Sequence, residues 1–343
     1  MSKICLIGLP LNELKTSVLQ FGMPAFTGMQ IAEWLYAKRA ESFDEMTNIS
    51  LKNRQLLSEN FEIGLQKPVE AQESIDGTKK YLFTFSKRGI NTGVETVYIP
   101  DGERATLCVS TQVGCKMNCN FCMTGQQGFA AQLSVNEILN QIISIPESKK
   151  LTNIVFMGMG EPLDNLDNLL KTIEILTATY GLAMSPHRIT VSTIGVLPAM
   201  KRFLDETDCH LAVSLHTPSS AERQAIMPVE KVFPAEKIIA ELRNYDFSHQ
   251  RRLSFEYIMF ADFNDTPRHA AALARLLNGL QCRVNLIRFH AIPNSDFKTS
   301  NERKMLDFQE FLNRKGIVCT IRRSRGEDIF AACGMLSTNK IRN

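Results

Sequence analysis

From about residue 104 onward, short apolar runs alternate with amphipathic stretches, and this alternation limits the possible folds more than any other feature of the chain. The apolar runs at 105–110, 153–157, 188–193, 210–215, 253–260, 283–289 and 317–321 read as strands. Helical patterns lie between them at 166–180, 234–245, 266–280 and 302–315. Another helix begins at Ser134, with Glu137 three residues on as a capping box. Strands separated by helices of this length pair in parallel. Six or seven such units give an α/β fold, either an open, partial βα barrel or a doubly wound sheet; a complete eightfold barrel needs about 250 residues. In either arrangement, chemistry belongs on the loops that follow the strands, at one rim. The chain's unusual residues obey that rule. Cys115, Cys119 and Cys122 follow the first strand, and Gly158 to Pro162 the second. Ser192 closes the third strand, Ser214, Leu215 and His216 the fourth, and His290 follows the sixth.

The segment before the alternation differs. Residues 1–75 read as helical, with apolar residues at helical spacing over 25–39 and two shorter helices within 42–61. Residues 79–100 read as two strands around a turn at 87–93. The expected organisation is a helical accessory domain (1–75), a β extension (76–100), a core (101–333) and a C-terminal tail (334–343).

Composition excludes several classes. The net charge is 39 − 36 = +3, too mild to demand nucleic acid and no bar to a local basic patch. No apolar run approaches the ~20 residues of a membrane span, and MSKICLIGLP lacks a cleavage pattern. Nine unevenly spaced cysteines do not suit a secreted disulfide framework. Cys209, Cys282 and Cys319, in strand-like runs, read as small buried hydrophobes. The expected location is the cytoplasm.

Cys115, Cys119 and Cys122 are different, with a C-x3-C-x2-C spacing on one loop. Three close thiolates make a soft-metal site. Zinc wants a fourth ligand to close its tetrahedron, whereas a [4Fe–4S] cluster held by three cysteines leaves one iron open to a substrate or cofactor.

This spacing resembles the signature of the radical S-adenosylmethionine (SAM) superfamily. The resemblance implies a [4Fe–4S] cluster on Cys115, Cys119 and Cys122 whose open iron chelates SAM. An electron from the cluster then cleaves SAM to methionine and a 5′-deoxyadenosyl radical. Phe121 fits the aromatic position against the adenine. Gly160 and Glu161, in GMGEP, fit the loop that contacts the SAM amino group, and Ser192, Ser214, Leu215 and His216 fit further SAM contacts.

The likeness narrows along the chain. VETVYIP, RATLCVSTQVGC, CMTGQQGF, MGMGEPLDN, ITVSTIG, SLHTP, IMPV, EYIMF, VNLI and RGEDIFAACG resemble the RlmN/Cfr family of radical SAM RNA adenosine methyltransferases. The resemblance covers nearly the whole chain and includes the helical accessory domain. It implies that Cys333 accepts a methyl group from a first SAM, and that a radical from a second SAM activates that methyl for addition to an adenine carbon. Cys108 then resolves the enzyme–RNA adduct through a transient disulfide with Cys333, and Glu95 is the proton acceptor. A radical held on a protein sulfur adds to an electron-poor amidine carbon where ordinary nucleophilic methylation fails. Gln126 and Gln127 resemble the RlmN branch, which methylates carbon 2; the Cfr branch methylates carbon 8. The implied substrates are an adenosine in the peptidyl-transferase region of 23S rRNA and the adenosine 3′ of the anticodon in tRNA. The target base must leave its stack to react. A flavodoxin-type electron donor and a monomer complete the expectation.

One position departs from the pattern: His290 stands where the family has a SAM-contacting Asn. The basic pairs Lys201-Arg202, Arg251-Arg252 and Arg303-Lys304, with Arg322, Arg323 and Arg325, are candidates for RNA phosphate contacts, the last three above all because they directly precede the Cys333 loop. Two other readings use the same residues: a radical SAM enzyme acting on a protein or small molecule, and a zinc-stabilised RNA-binding module.

Overall fold

A computed structural model describes residues 3–87, 90–248, 251–293 and 295–337. Its N-terminal part is three helices bracketed by two short parallel strands. β1 (Ile4–Cys5) pairs with β2 (Phe61–Glu62), and α1 (Leu11–Gln20), α2 (Phe26–Ala32) and α3 (Leu51–Asn60) lie between them. Leu14 and Val18 of α1 and Ile31 and Ala32 of α2 are buried, so the two helices share one apolar seam. Ser50 caps α3 by accepting from the Asn53 N–H.

Ten strands form one sheet. β3 (Glu70–Glu73), β4 (Lys79–Lys87), β5 (Ile90–Asp101) and β6 (Arg104–Cys108) run antiparallel to one another. β3 lies inside the segment expected to be helical, so the sheet begins before residue 76. The expected turn at 87–93 is narrower, because strand structure reaches Lys87 and resumes at Ile90; residues 88 and 89 lie outside the described residues. A separate hairpin follows β6, made of β7 (Gln112–Gly114) and β8 (Phe129–Gln132). Between its strands lie the three clustered cysteines and the short α4 (Met123–Gln126).

From β6 the sheet is parallel: β9 (Asn153–Phe156), β10 (Ile189–Thr193), β11 (His210–Ser214), β12 (Leu253–Met259), β13 (Arg283–Arg288) and β14 (Val318–Ile321). The crossovers carry α5 (Val135–Ile143), α6 (Leu166–Thr177), α7 (Leu197–Glu206), α8 (Ser220–Ile226), α9 (Ala235–Leu242), α10 (Pro267–Leu276) and α11 (Glu302–Arg314). α7 is absent from the expected helices; its Pro198 stands in the first turn, where a missing N–H costs no hydrogen bond. The strand order 6-9-10-11-12-13-14 never reverses. A doubly wound sheet requires a reversal, so the fold is the partial barrel. Every residue of β12 is buried, as a strand covered on both faces should be.

Helix α5 joins the two parts. Ser134 and Glu137 form the expected capping box. Asn136 and Asn140 turn toward the N-terminal helices: Asn136 donates to the carbonyls of Ile7 (3.0 Å) and Gly64 (2.9 Å), and Asn140 accepts from the Gln66 N–H (2.7 Å). After β14 the chain crosses back over the barrel mouth. There the Met123 N–H donates to the Gly334 carbonyl at 2.8 Å, and the Thr124 hydroxyl to that of Leu336 at 2.7 Å. The expected tail 334–343 is described only as far as Ser337, and residues 338–343 lie outside the described residues.

A candidate active site at the barrel mouth

The cysteine loop is shaped by two tight backbone approaches. Gly114 ends β7 at φ +74°, and a Cβ there would lie 1.7 Å from the Gly128 carbonyl oxygen, so only glycine lets the hairpin close. The Cys115 N–H donates to that same carbonyl at 3.1 Å. Farther along, the Asn120 N–H donates to the Ile226 carbonyl at 3.0 Å, tying the loop to the end of α8.

Cys115, Cys119 and Cys122 line one cavity of about 150 Å³ at the carboxyl ends of the strands. Burial pushes the Cys115 thiol up to about 12, with Glu161 adding to the rise. It also pushes Cys119 well above the ordinary thiol range, reinforced by its neighbours Cys122 and Cys115. Cys122 is raised by burial too, against hydrogen bonds from Gly125 and Thr124. One buried and two half-buried thiols whose ionisation is disfavoured fit a cationic soft-metal centre, which deprotonates its thiols outright. Among the described residues, no three His, Cys, Asp or Glu side chains are gathered tightly enough for a single metal ion. Three cysteines on one cavity are the ligand set that would hold a [4Fe–4S] cluster.

Gly160, Glu161, Ser192, Ser214 and His216 line the same cavity, as does Phe121. Gly160 holds φ +100°, and a Cβ there would press to 2.5 Å from the Gln112 side chain. The Glu161 carboxylate accepts from the Leu163 N–H (3.1 Å) and the Ile194 N–H (3.0 Å), so it links the loops after β9 and β10. Burial raises its pKa to about 7 against these hydrogen bonds. The Phe121 ring stands edge-on to His216, with centroids 4.8 Å apart. His216 accepts from the Ile258 N–H through Nδ1 at 3.1 Å. Leu215 is the exception in this run: its side chain packs into the apolar core, 1 % exposed, and its N–H and carbonyl bond to Glu256 and Arg223.

Cys333 lines this cavity and also a larger one of about 590 Å³ beside it. Cys108, the last residue of β6, lies close enough for the Cys333 thiol to disfavour its ionisation; burial is the larger cause, and together they push Cys108 up to about 12. Cys333 is exposed as a residue, yet desolvation by the protein around its sulfur raises the thiol, and the Arg322 guanidinium opposes the rise.

Two expected site residues stand elsewhere. His290 lines the larger cavity and not the smaller, with Nε2 3.0 Å from the Ser324 hydroxyl. Glu95 lines neither: it pairs with Lys80 at 3.0 Å inside the sheet and accepts from the Ser337 N–H at 3.0 Å, behind the Cys333 loop.

Sequence reasoning missed Glu256. It is 3 % exposed, lines the smaller cavity and accepts from Asn285 Nδ2 at 2.8 Å. Its Oε1 also lies 3.5 Å from Arg322 Nη2. A glutamate in the middle of an apolar parallel strand is the signal that could have found it. Arg322 therefore faces a carboxylate and a thiol inside the mouth. Four of the other basic candidates are tied to nearby acids: Lys201 to Glu241, Arg202 to Asp167 and Glu206, Arg303 to Asp307, and Lys304 to the exposed Asp262 and the buried Asp265. Cys209 and Cys319 are buried as expected, and Cys282 is half-buried.

Comparison with known proteins meets this geometry. Residues 109–275 match the model of the radical SAM superfamily, and residues 4–63 that of the ribosomal RNA large subunit methyltransferase N-terminal domain. The chain is 62 % identical over 335 residues to a probable dual-specificity RNA methyltransferase RlmN from Parabacteroides distasonis, covering 98 % of this chain and 97 % of the relative. It is 41 % identical to the dual-specificity RNA methyltransferase RlmN of Syntrophus aciditrophicus, over 98 % of this chain and 97 % of the relative. Among solved structures, a radical SAM methyltransferase from Sphaerobacter thermophilus superposes with a TM-score of 0.91 at 36 % identity, covering 98 % of this chain and all of that one.

Proposed function

The chain belongs to the RlmN family of radical SAM RNA methyltransferases, and on that premise we propose that it methylates carbon 2 of adenosine in the peptidyl-transferase region of 23S rRNA and of the adenosine 3′ of the anticodon in tRNA. The observation that carries the reading is the position of Cys333. It lines both the cavity of the three cluster cysteines and a second cavity of about 590 Å³, and it lies near enough to Cys108 to influence that thiol.

The cofactors of the family are a [4Fe–4S] cluster and SAM, which when bound supply the electron and the radical that the chemistry needs. In our reading Cys115, Cys119 and Cys122 hold the cluster. Glu161 meets the SAM ammonium, and Phe121 packs against the adenine. Gly160, Ser192, Ser214, His216 and the Leu215 backbone complete the SAM site. Arg322 steadies the Cys333 thiolate as Cys333 takes up a methyl group. Cys333 then carries that carbon to the target adenine, and the Cys108 thiolate attacks the Cys333 sulfur, forming a disulfide as the bond from that sulfur to the transferred carbon breaks and the released product takes up a proton. Glu95, which accepts from the Ser337 N–H beside the Cys333 loop, is the proposed proton acceptor. His290 serves the RNA side of the mouth.

In this reading residues 1–75, apart from the edge strand β3 that already belongs to the sheet, act as an RNA-binding accessory domain, 76–100 as the β extension and 101–333 as the catalytic core, followed by the tail 334–343. No described helix is long and apolar enough to cross a membrane. A flavodoxin-type electron donor, a monomeric state and a cytoplasmic location belong to the same proposal.

The test is reconstituted protein with SAM, reductant and a 23S rRNA fragment or tRNA, with the methyladenosine isomer read by mass spectrometry. 2-Methyladenosine that disappears in Cys333→Ala supports the reading. 8-Methyladenosine moves the chain to carbon 8 chemistry, and an unmethylated RNA pool on both substrates overturns the RNA assignment.

A further inference from the structure

The larger cavity is strongly cationic. Seven arginines line it against one carboxylate, Asp101. Three of the seven are balanced: Arg288 by Glu302 (3.0 Å), Arg322 by Glu256 (3.5 Å) and Arg325 by Asp101 (2.8 Å). Arg104, Arg252, Arg283 and Arg323 make no ion pair among the described residues. Arg104 reaches only the Thr106 hydroxyl, at 3.2 Å.

Three of these four share one level of the barrel. Arg104 opens β6, Arg252 immediately precedes β12, and Arg283 opens β13 opposite Ser254. They lie at the strand starts, the end remote from the cysteine loop. Arg252 is four residues before Glu256, or ~13 Å along the strand, and it lines the same cavity as Cys333. Burial and the like charges of Arg283, Arg104 and Arg322 all disfavour the Arg252 guanidinium. A fold that gathers such charges without carboxylates favours an anionic ligand. The guanidinium fork matches phosphate oxygens two at a time, and several forks along one open channel match a polyanion better than a single free ion.

We propose that Arg104, Arg252 and Arg283 form a phosphodiester-binding site that holds the RNA backbone next to the target nucleotide and feeds its base to Cys333 through the larger cavity. The inference rests on the RNA reading above and deepens it. It divides the barrel interior into two sides. The cluster cysteines and the residues proposed to contact SAM line the smaller cavity, and the RNA strand would enter through the larger one.

The experiment measures binding of a target hairpin RNA by fluorescence anisotropy between 50 and 300 mM KCl. It compares the full-length protein with R104Q, R252Q, R283Q, the triple variant, R252K, and R314Q, whose guanidinium pairs with Glu310 on the outer face of α11. Each phosphate contact contributes roughly 0.7–0.9 to the slope of log Kd against log salt. The triple variant is expected to lose about two to three from that slope and at least tenfold in affinity at low salt. Each single variant loses about one contact, which keeps the test intact if the triple variant folds poorly. R252K is expected to recover most of the Arg252 share, and R314Q to keep the wild-type slope. A wild-type slope in all three single variants overturns the site, as does an equal loss in R314Q. Wild-type protein that binds with the full slope but never methylates RNA refutes the proposed reaction and leaves the phosphate site standing.

Discussion

Arg325 donates to Asp101 at 2.8 Å across 224 positions of sequence. The contact joins the chain just past the last strand to the turn between β5 and β6, at the strand-start end of the barrel, and so anchors the segment that leads into the Cys333 loop. Two neighbours reinforce it. The Gly326 N–H donates to Asp76 Oδ2 at 3.1 Å, and Asp328 accepts from the Ser74 hydroxyl at 2.5 Å and from the Ile75 N–H at 3.3 Å. Asp101 is 61 % exposed, so the ion pair alone contributes little. The strap depends on the set of carboxylates acting together.

Asp76 is the member to test. Partial burial raises its carboxyl, but hydrogen bonds from Thr78, Gly326 and Ser74 win and bring it down to about 2. A carboxyl depressed in the fold stabilises above its ordinary value near 3.8 and loses that contribution as the pH falls toward 2. Asp76→Asn is therefore expected to speed hydrogen exchange over residues 326–337 at pH 7 while the barrel strands keep wild-type protection. In wild type the same segment should loosen between pH 4 and 2. Unchanged exchange in the variant removes the strap from the account.

Beneath the site, Arg223 and Glu230 form an ion pair that is 0 % and 2 % exposed. Arg223 also donates to the carbonyls of Ile194 (2.9 Å), Ser214 (3.1 Å) and Leu215 (3.3 Å), so it holds the loops after β10 and β11 in place. Glu230→Gln leaves a buried guanidinium uncompensated, at a cost of about 3–5 kcal/mol. Urea unfolding of Glu230→Gln, Arg223→Met and the double variant should show the double less destabilised than the sum of the singles. Strict additivity speaks against coupling.

The strands of the core were legible within two residues at each end, because buried parallel strands read as apolar runs between helices of crossover length. The cysteine loop was legible from spacing alone. What the sequence hid is long-range. Arg322 stands beside the Cys333 loop in sequence and was read as an RNA contact, yet it turns inward to Glu256, 66 positions earlier. His290 follows the correct strand, but only its bond to Ser324 shows which cavity it faces. β3 was hidden inside the segment read as helical because it is an edge strand with mostly exposed polar residues, ordered by pairing to β4.

The loop after β9 approaches its neighbour more closely than a side chain permits. A Cβ on Gly158 would lie 2.8 Å from the carbonyl carbon and oxygen of Val109, and backbone cannot yield as a side-chain tip can. Overpacking of this kind costs roughly 1–3 kcal/mol. Gly158→Ala should displace Gly160 and Glu161 and weaken SAM binding in equilibrium dialysis at least tenfold. Wild-type SAM affinity in a folded variant removes this loop from the SAM site.

His216 sets an acid limit on the same rim. It holds a left-handed backbone, φ +61°, and its Nδ1 accepts from the Ile258 N–H, which requires a neutral ring. Burial, with Arg223 as the lesser cause, pushes its pKa down to about 3 from an ordinary 6.5. A histidine depressed in the fold contributes its full stability above 6.5, where both folded and unfolded rings are neutral. That contribution is lost as the pH falls, because only the unfolded chain takes up the proton, and the loss levels off near 3. At 1.36 kcal/mol per unit the total is about 4–5 kcal/mol. His210, pushed down to about 4 by burial and by Arg252 foremost among nearby charges, steepens the same limb. His216→Asn keeps a residue that tolerates the left-handed conformation and removes the proton. Its urea midpoint should fall less steeply than wild type between pH 6.5 and 4, with the His210 share remaining. Parallel curves in the two proteins mean that His216 titrates near its ordinary value and that the rim is wetter than its packing implies.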